Sequence, residues 1–221
     1  MSELRQASGR SHNGAGAADG SDRRAREGNA DTRAQILAAT EGLLEHVALR
    51  DLSVAEIIEQ AEISRATFYF YFSSKYDVVV GLLAKIMNDV YDVARPFIDR
   101  DDDAEPVTAM YRSLEAAAAA WRTHRLALRA VSEHWNTVPE LRTLWLGVVR
   151  RFTDGIAAEI DRQRAAGLAP PGIDSRELTT VLLWATERSF YVAGLGLQSE
   201  LSSEQQAVQA LFAVWRGAVY G

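Results

Sequence analysis

The stretch Ser64-Arg65-Ala66-Thr67-Phe68-Tyr69-Phe70-Tyr71-Phe72-Ser73-Ser74-Lys75 decides how this chain folds. It follows a short segment, Ser53 to Ala61, after a three-residue turn. In that segment Val54, Ile57, Ile58 and Ala61 repeat at i, i+3, i+4 and i+7, the spacing of one helix face. Ser53 with Glu56 three residues on is a capping box that fixes where the helix begins. Ser64 caps the helix that comes next. A capped helix, a tight turn and a second short helix mixing aromatic with basic residues is the layout of a helix-turn-helix, whose second helix reads double-stranded DNA.

The residues of that second helix divide by face. Phe68 and Phe72 are four apart and pack inward together, with Ile63 beside them. Arg65, Ala66, Thr67, Phe70 and Tyr71 are left for the outer surface. Arg65 is the best base reader, because its fork takes two acceptors on one guanine. Thr67 can bond a phosphate or meet a thymine methyl, and Tyr69 and Tyr71 place hydroxyls at backbone height. Lys75, at the start of a further helix, suits phosphate. One short helix cannot bury all of its sides, so Phe70 and Tyr71 are expected to be exposed beside the basic residues, as on a binding face. Between Ser64 and Lys75 there are two basic residues and no acidic one. The chain as a whole carries −6, so its positive charge has to be local if it binds nucleic acid.

Working outward, residues 1–30 are rich in Gly, Ala, Ser and Arg and lack a helical period, which predicts a disordered tail. Its arginines Arg5, Arg10, Arg23, Arg24 and Arg26 are nearly balanced by acidic residues. A first helix is predicted from Asp31 or Thr32 as N-cap, with Ile36, Thr40, Leu43, Leu44 and Val47 on one stripe. A fourth runs from about Lys75 to Phe97, with Val78, Leu82, Ile86 and Val90 on one face and Ser74 with Asp77 as a weak cap pair. Pro96 and Asp99, Asp101, Asp102 and Asp103 end it in an acidic loop whose spacing matches no calcium loop. Further helices are expected near 106–122, 125–135, 139–166, 174–195 and 203–219, their starts marked by Pro106, Pro139, Asp174 with Glu177, and Ser202 with Gln205. No strand signal of similar strength appears. The reading is an all-α chain of about nine helices: a DNA-binding unit at 31–75 and a helical ligand-binding and dimerisation domain at 76–221.

Composition limits the functions open to such a chain. With 221 residues, 48% of them hydrophobic, it can bury a real core. Without cysteine it has no disulfide, thiolate metal site or cysteine nucleophile. No apolar run spans a bilayer and the first residues lack the apolar core of a signal peptide, so the chain reads as soluble and cytoplasmic. His12, His46, His124 and His134 have no metal-ligand spacing, and no nucleophile elbow, phosphate loop or dinucleotide fingerprint is present. An enzyme, a metal site and a cofactor are therefore not expected. The alternative to a DNA-binding regulator is a small-molecule-binding or scaffold protein with a vestigial DNA unit; a vestige would have lost the charge and hydroxyl pattern between Arg65 and Lys75.

The run from Ile63 to Lys75 resembles the signature of TetR-family transcriptional repressors: a hydrophobic residue, a small cap, a variable reading segment, a Tyr-aromatic pair, Phe, then Ser-Lys. The resemblance covers residues 32–78 well. It implies a homodimer that places its reading helices in successive major grooves of a palindromic operator. It puts the base and phosphate contacts on Arg65, Ala66, Thr67, Tyr69, Phe70, Tyr71 and Lys75; Ser53 and Ser64, at two helix starts, complete the candidate set. One departure is Glu62, where the family commonly has Gly in the turn. Glu carries a modest cost there if φ is positive.

All five tryptophans lie beyond residue 120. Most of the aromatics there are expected to fill core, but they can also line a tunnel between helices open to a small apolar effector. The resemblance places Tyr111, Phe152, Trp184, Thr186 and Trp215 around such a pocket, and Trp121, Trp145 and Phe190 join them as candidates. Thr186 and Glu187 are polar groups in an otherwise apolar helix; they are expected to meet a ligand or satisfy each other. The resemblance also makes 174–195 and 203–219 the dimer surface, a four-helix bundle that suits the small Gly194 and Gly196.

Overall fold

Ser53 opens its helix as the sequence predicts. The Ser53 hydroxyl accepts the Glu56 backbone N–H at 3.2 Å, and the Glu56 carboxylate accepts the Ser53 N–H at 2.7 Å. The side-chain bond from Ser53 holds the Glu56 carboxyl below its usual pKa, with the backbone bond and Lys75 adding to it. The resulting helix, Val54–Gln60, is α2 of a computed structural model that describes residues 15–98 and 105–221. Before it comes α1 (Ala15–Leu44) and after it α3 (Arg65–Tyr71) and α4 (Lys75–Ile98). The remaining elements are α5 (Pro106–Thr123), α6 (Arg125–His134), α7 (Pro139–Ala165), α8 (Ser175–Leu195), a 3-10 turn (Ser199–Leu201) and α9 (Glu204–Tyr220). Among the described residues there is no strand, and the all-α reading holds.

Three boundaries differ from expectation. α1 begins at Ala15, so part of the stretch read as tail is helical. Asp31 and Thr32 lie inside α1, where the Thr32 hydroxyl donates back to the Gly28 carbonyl at 3.0 Å instead of capping. Periodicity misses this stretch because its sequence carries no apolar stripe. α4 continues through Pro96 to Ile98, and the acidic residues 99–104 fall outside the described residues, as do 1–14. α9 is capped by Ser203, one residue later than predicted; Ser203 accepts from Gln206 N–H, while Ser202 donates to the Gln206 side chain.

The first four helices hold one end of a hydrophobic core that continues through the molecule. Ile36 and Leu44 of α1, Leu49 and Leu52 of the connection, Ile57 of α2, Phe68 and Phe72 of α3 and Val78, Val79 and Leu82 of α4 are all buried. Gly81 allows the closest approach here. A Cβ on it would stand 2.8 Å from the Arg33 guanidinium and 3.3 Å from the Phe72 ring. α4 then leaves this unit and packs against α5 and α7. Its 24 residues span roughly 36 Å at 1.5 Å per residue, so one rod runs from under the reading helix to the middle of the second domain.

Side-chain ties fix the arrangement further, one of them between the two domains. The His124 ring, at the α5–α6 junction, meets the Glu41 carboxylate of α1 at 2.6 Å. The Lys75 ammonium donates to the Arg50 and Leu52 carbonyls at 2.9 and 2.7 Å, pinning the α1–α2 connection to the start of α4. At the far end the Tyr220 hydroxyl donates to buried Gln163, whose amide donates to buried Glu159, locking α9 to α7. No helix among the described residues is long and apolar enough to cross a membrane.

Candidate nucleic-acid interface and internal cavity

α3 is anchored from below and bare above. Phe68 is fully buried and its ring stands edge-on to Tyr69 at 5.3 Å. Above that anchor Arg65 and Ala66 are exposed, Tyr69 is 48% exposed and Phe70 is 73% exposed. Ser64 caps the helix by accepting the Thr67 N–H at 3.0 Å, and its hydroxyl shares a 2.8 Å bond with the Thr67 hydroxyl. The Arg65 guanidinium lies over the Tyr69 ring, 5.4 Å from its centre. One guanidinium N–H also reaches the Tyr69 hydroxyl at 3.5 Å, and stacking of this kind orients the fork while leaving its other donors at the surface. An arginine fork at a helix start, with exposed rings beside it, can address base edges in a groove.

Two candidates sit differently from expectation. Tyr71 is half-buried against the core, and its hydroxyl donates to the Asn29 side chain of α1 at 2.5 Å. Its position three residues after Phe68 explains this, because i and i+3 share a helix face. Two of the Lys75 donors are engaged by the carbonyls of residues 50 and 52, so its charge acts at a fixed place at the start of α4. Ser53 remains exposed at the start of α2, with its hydroxyl inside the capping box. The turn adopts the geometry the sequence pointed to: Glu62 has φ 50°, the only positive φ among the described non-glycine residues.

The second domain holds two apolar lobes of ≈ 80 Å³ and ≈ 110 Å³ between α4, α5, α7, α8 and α9. Val90, Ala117, Phe152, Leu183 and Thr186 line both, which makes them one two-lobed cavity. Met110 and Trp215 close the first lobe; Trp121, Trp145, Glu187 and Phe190 close the second. Outside, a groove between α4 and α7 abuts the same Met87, Val148 and Phe152 that wall the second lobe. Phe152 is therefore a partition between lobes and groove, held edge-on to Tyr91 at 5.2 Å.

Six of the eight predicted lining residues meet here: Trp121, Trp145, Phe152, Thr186, Phe190 and Trp215. Two do not. Tyr111 stands edge-on to Phe212 at 5.1 Å, and Trp184 packs on Trp135 at 5.4 Å. Trp184 is two residues before Thr186, about 200° around the helix, so both cannot face one cavity. Sequence reasoning missed Val90, Ala117 and Leu183, which carry no signal beyond ordinary core periodicity.

Thr186 and Glu187 do not satisfy each other. The Thr186 hydroxyl donates to the Leu182 carbonyl at 2.8 Å and accepts the Trp215 indole N–H at 2.9 Å. Glu187 is 8% exposed, and one carboxyl oxygen accepts from the Ser132 hydroxyl at 2.6 Å. Its other oxygen, Oε2, has no hydrogen-bond partner and lies 3.6 Å from the Arg188 guanidinium. Burial raises the Glu187 pKa, against the opposing pull of Ser132 and Arg188. The Trp145 indole N–H is also buried without a partner.

Comparison with known proteins places both halves. Residues 36–82 match the sequence model of bacterial regulatory proteins of the tetR family, and residues 110–221 match that of the C-terminal domain of the transcriptional regulator EthR. The HTH-type transcriptional regulator EthR of Mycolicibacterium smegmatis is 32% identical over 202 residues, covering 90% of this chain and 91% of that protein. EthR of Mycobacterium tuberculosis (strain ATCC 25618 / H37Rv) is 30% identical over 199 residues, 90% of this chain and 92% of its own. Among solved structures, a transcriptional regulator from Saccharomonospora viridis in complex with choline superposes with a TM-score of 0.71 at 18% identity, over 87% of this chain and 99% of that one.

Proposed function

The chain belongs to the TetR family of transcriptional regulators and is not an enzyme, and from that premise we propose that it is a homodimeric repressor released from a palindromic operator by a small apolar effector. The observation that carries this reading is the continuity of α4. Lys75 and Val78 at one end of it support the reading helix, and Met87 and Val90 near the middle wall the cavity.

Arg65, Ala66, Tyr69 and Phe70 meet base edges and sugar-phosphate in the major groove, with Ser53, Ser64 and Thr67 at its rim. Tyr71 and Lys75 position this face from within. An effector that enters from the α4–α7 groove past Phe152 and fills the lobes displaces α4. A rigid rod transmits that displacement to α3, and the spacing of the two reading helices no longer fits half-sites one helical turn apart. The dimer forms through α8 and α9, where Val181, Ala185, Ala210, Ala213, Val214 and Gly217 leave an exposed apolar strip of mostly small side chains. The choline complex of the Saccharomonospora viridis protein supports a small-molecule effector site in this architecture.

Fluorescence anisotropy with the DNA upstream of the chain's own gene, at several salt concentrations, tests the reading. Wild type is expected to bind one palindromic segment with affinity that falls steeply with salt. Arg65→Ala is expected to lose about 1–3 kcal/mol of that binding with unchanged thermal stability. Weak binding without sequence preference by both proteins would reject it.

A further inference from the structure

The exposed side of α3 carries two parallel ridges of different chemistry. Arg65 and Tyr69, four residues apart, form a polar one, with the guanidinium over the ring and on its hydroxyl. Ala66 and Phe70, also four apart, form the other, turned by about 100° around the helix and free of polar side-chain atoms. Phe70 is 73% exposed, the barest aromatic ring among the described residues. It is held in place all the same. Its ring stands edge-on to Tyr71 at 5.0 Å, and Tyr71 is half-buried with its hydroxyl on Asn29. A ring that the fold fixes at the surface and leaves uncovered loses little freedom when a partner covers it.

We infer that Phe70 determines specificity by reading a C5-methyl group in the major groove, that of one thymine in each operator half-site, close to a guanine read by Arg65. This rests on the reading of α3 as the helix that enters the groove. A phenyl ring has no donor or acceptor, so it cannot sort bases by their hydrogen-bonding edges. The apolar group that base pairs present in the major groove is the thymine methyl, and Phe and Ala side chains are suited to contact it. The Ala66 methyl shares the ridge and widens the apolar seat. Tyr69 is not equivalent, because Arg65 lies over its ring and its hydroxyl calls for polar partners. Phe70 lies five residues beyond Arg65. That is roughly 7.5 Å along the helix, about two base-pair steps, which puts the methyl within about three base pairs of the guanine. Cytosine methylated at C5 presents the same group, and a ring that reads the methyl alone accepts it.

The probe is the palindromic segment that the full-length protein binds in the DNA upstream of its own gene. It is resynthesised with each thymine in turn, at both symmetric positions, replaced by deoxyuridine, which removes the methyl and nothing else. Anisotropy at one salt concentration gives the affinities. A buried methyl is worth about fourfold, so losing it from both half-sites is expected to weaken wild-type binding on the order of tenfold at one thymine position. Phe70→Ala is expected to lose a similar factor on the thymine duplex and to bind the thymine and deoxyuridine duplexes alike. At the same position 5-methylcytosine is expected to exceed cytosine by that factor for wild type and to equal it for Phe70→Ala. Arg65→Ala, which weakens binding by another route, is expected to keep the deoxyuridine effect. Phe70 is exposed, so thermal unfolding of its variant is expected to match wild type. Indifference to deoxyuridine at every position, an effect that persists in Phe70→Ala, or one that vanishes equally in Arg65→Ala overturns the inference and leaves the repressor reading standing. Binding to no segment in preference to another overturns both.

Discussion

Phe68 and Phe152 sit on helices about 80 residues apart in sequence and are treated in opposite ways by the fold. Phe68 is fully enclosed, with Phe72 and Tyr69 as ring neighbours, and polar groups near it are spent: Ser53 on Glu56, Ser64 on Thr67, Tyr71 on Asn29, Lys75 on two carbonyls. Phe152 has empty lobes on one side and a groove on the other, and the neighbouring Glu187 and Trp145 keep unmet polar atoms. A region with every space and hydrogen bond filled has one arrangement. A region with spare volume and unmet partners has more than one, and a ligand can choose between them. The filled surroundings of Phe68 leave the reading unit less room to rearrange there than the second domain has around Phe152.

The largest effect that follows from this contrast is at Phe68. Phe68→Ala is expected to cost about 3–5 kcal/mol, as for a ring removed from a closed core. Phe152→Ala is expected to cost less, because part of its surroundings is already void and the lobes merely join. Urea denaturation of both variants measures the difference; equal losses would mean that the cavity is as tightly built as the reading unit.

Two adjacent alanines offer a finer version. Ala118 is fully buried and does not line the cavity, whereas Ala117 lines both lobes. Ala118→Leu is expected to lose about 1–3 kcal/mol through overpacking. Ala117→Leu places its added carbons in empty space, worth about 0.8 kcal/mol for each buried CH₂ and offset by local crowding. Its stability is expected to stay within about 1 kcal/mol of wild type while calorimetry records loss of ligand binding. A stability loss at Ala117 as large as at Ala118 would remove the cavity from the argument.

The same contrast has a pH signature. Glu187 has a folded pKa above its unfolded one, so the folded state holds more protons between the two values. Its contribution to stability is present at low pH and declines as pH rises through that window. The groups that face it are the Ser132 hydroxyl and the Arg188 guanidinium. Chemical denaturation from pH 4 to 8 is expected to give a steeper decline for wild type than for Glu187→Gln; coincident profiles would show that the carboxyl is not desolvated (the range brackets the ordinary carboxylate pKa of about 4.3).

How far the sequence was legible follows the same division. Caps and periodic faces are local, and Ser53, Ser64, Pro106, Pro139 and Asp174 marked helix starts that the structure keeps within a residue. The inward side of α3 was legible at Phe68 and Phe72 but not at Tyr71, because a hydroxyl tip disguises a ring that packs inward and reaches back to Asn29. Lys75 looked like a free cation, since nothing local says that two carbonyls of the preceding connection will be in reach. In the second domain the tryptophans drew attention by size, and Trp184 misled. Whether a large ring seals a core or walls a void depends on what faces it across three other helices, and so the small Ala117 and Val90 were invisible until the helices were packed.

The smallest expected effect returns to the reading unit. Glu62 takes φ 50° in the turn before Ser64 and is exposed. A non-glycine residue in the left-handed region carries a cost of about 1–2 kcal/mol, and glycine carries none. Glycine also loosens the unfolded chain, which offsets about 0.4–1 kcal/mol of the gain. Glu62→Gly is therefore expected to stabilise the protein by about 0–1.5 kcal/mol, read as a small rise in Tm. It also removes one negative charge beside the reading helix, so operator binding is expected to tighten slightly at low salt and converge with wild type at high salt. The unit tolerates this change because the turn is held between the C-terminal end of α2 and the capped start of α3. If Glu62→Gly instead lowered Tm and weakened operator binding at every salt concentration, the turn would be held by the Glu62 side chain, and the reading unit would be less over-determined than its packing implies.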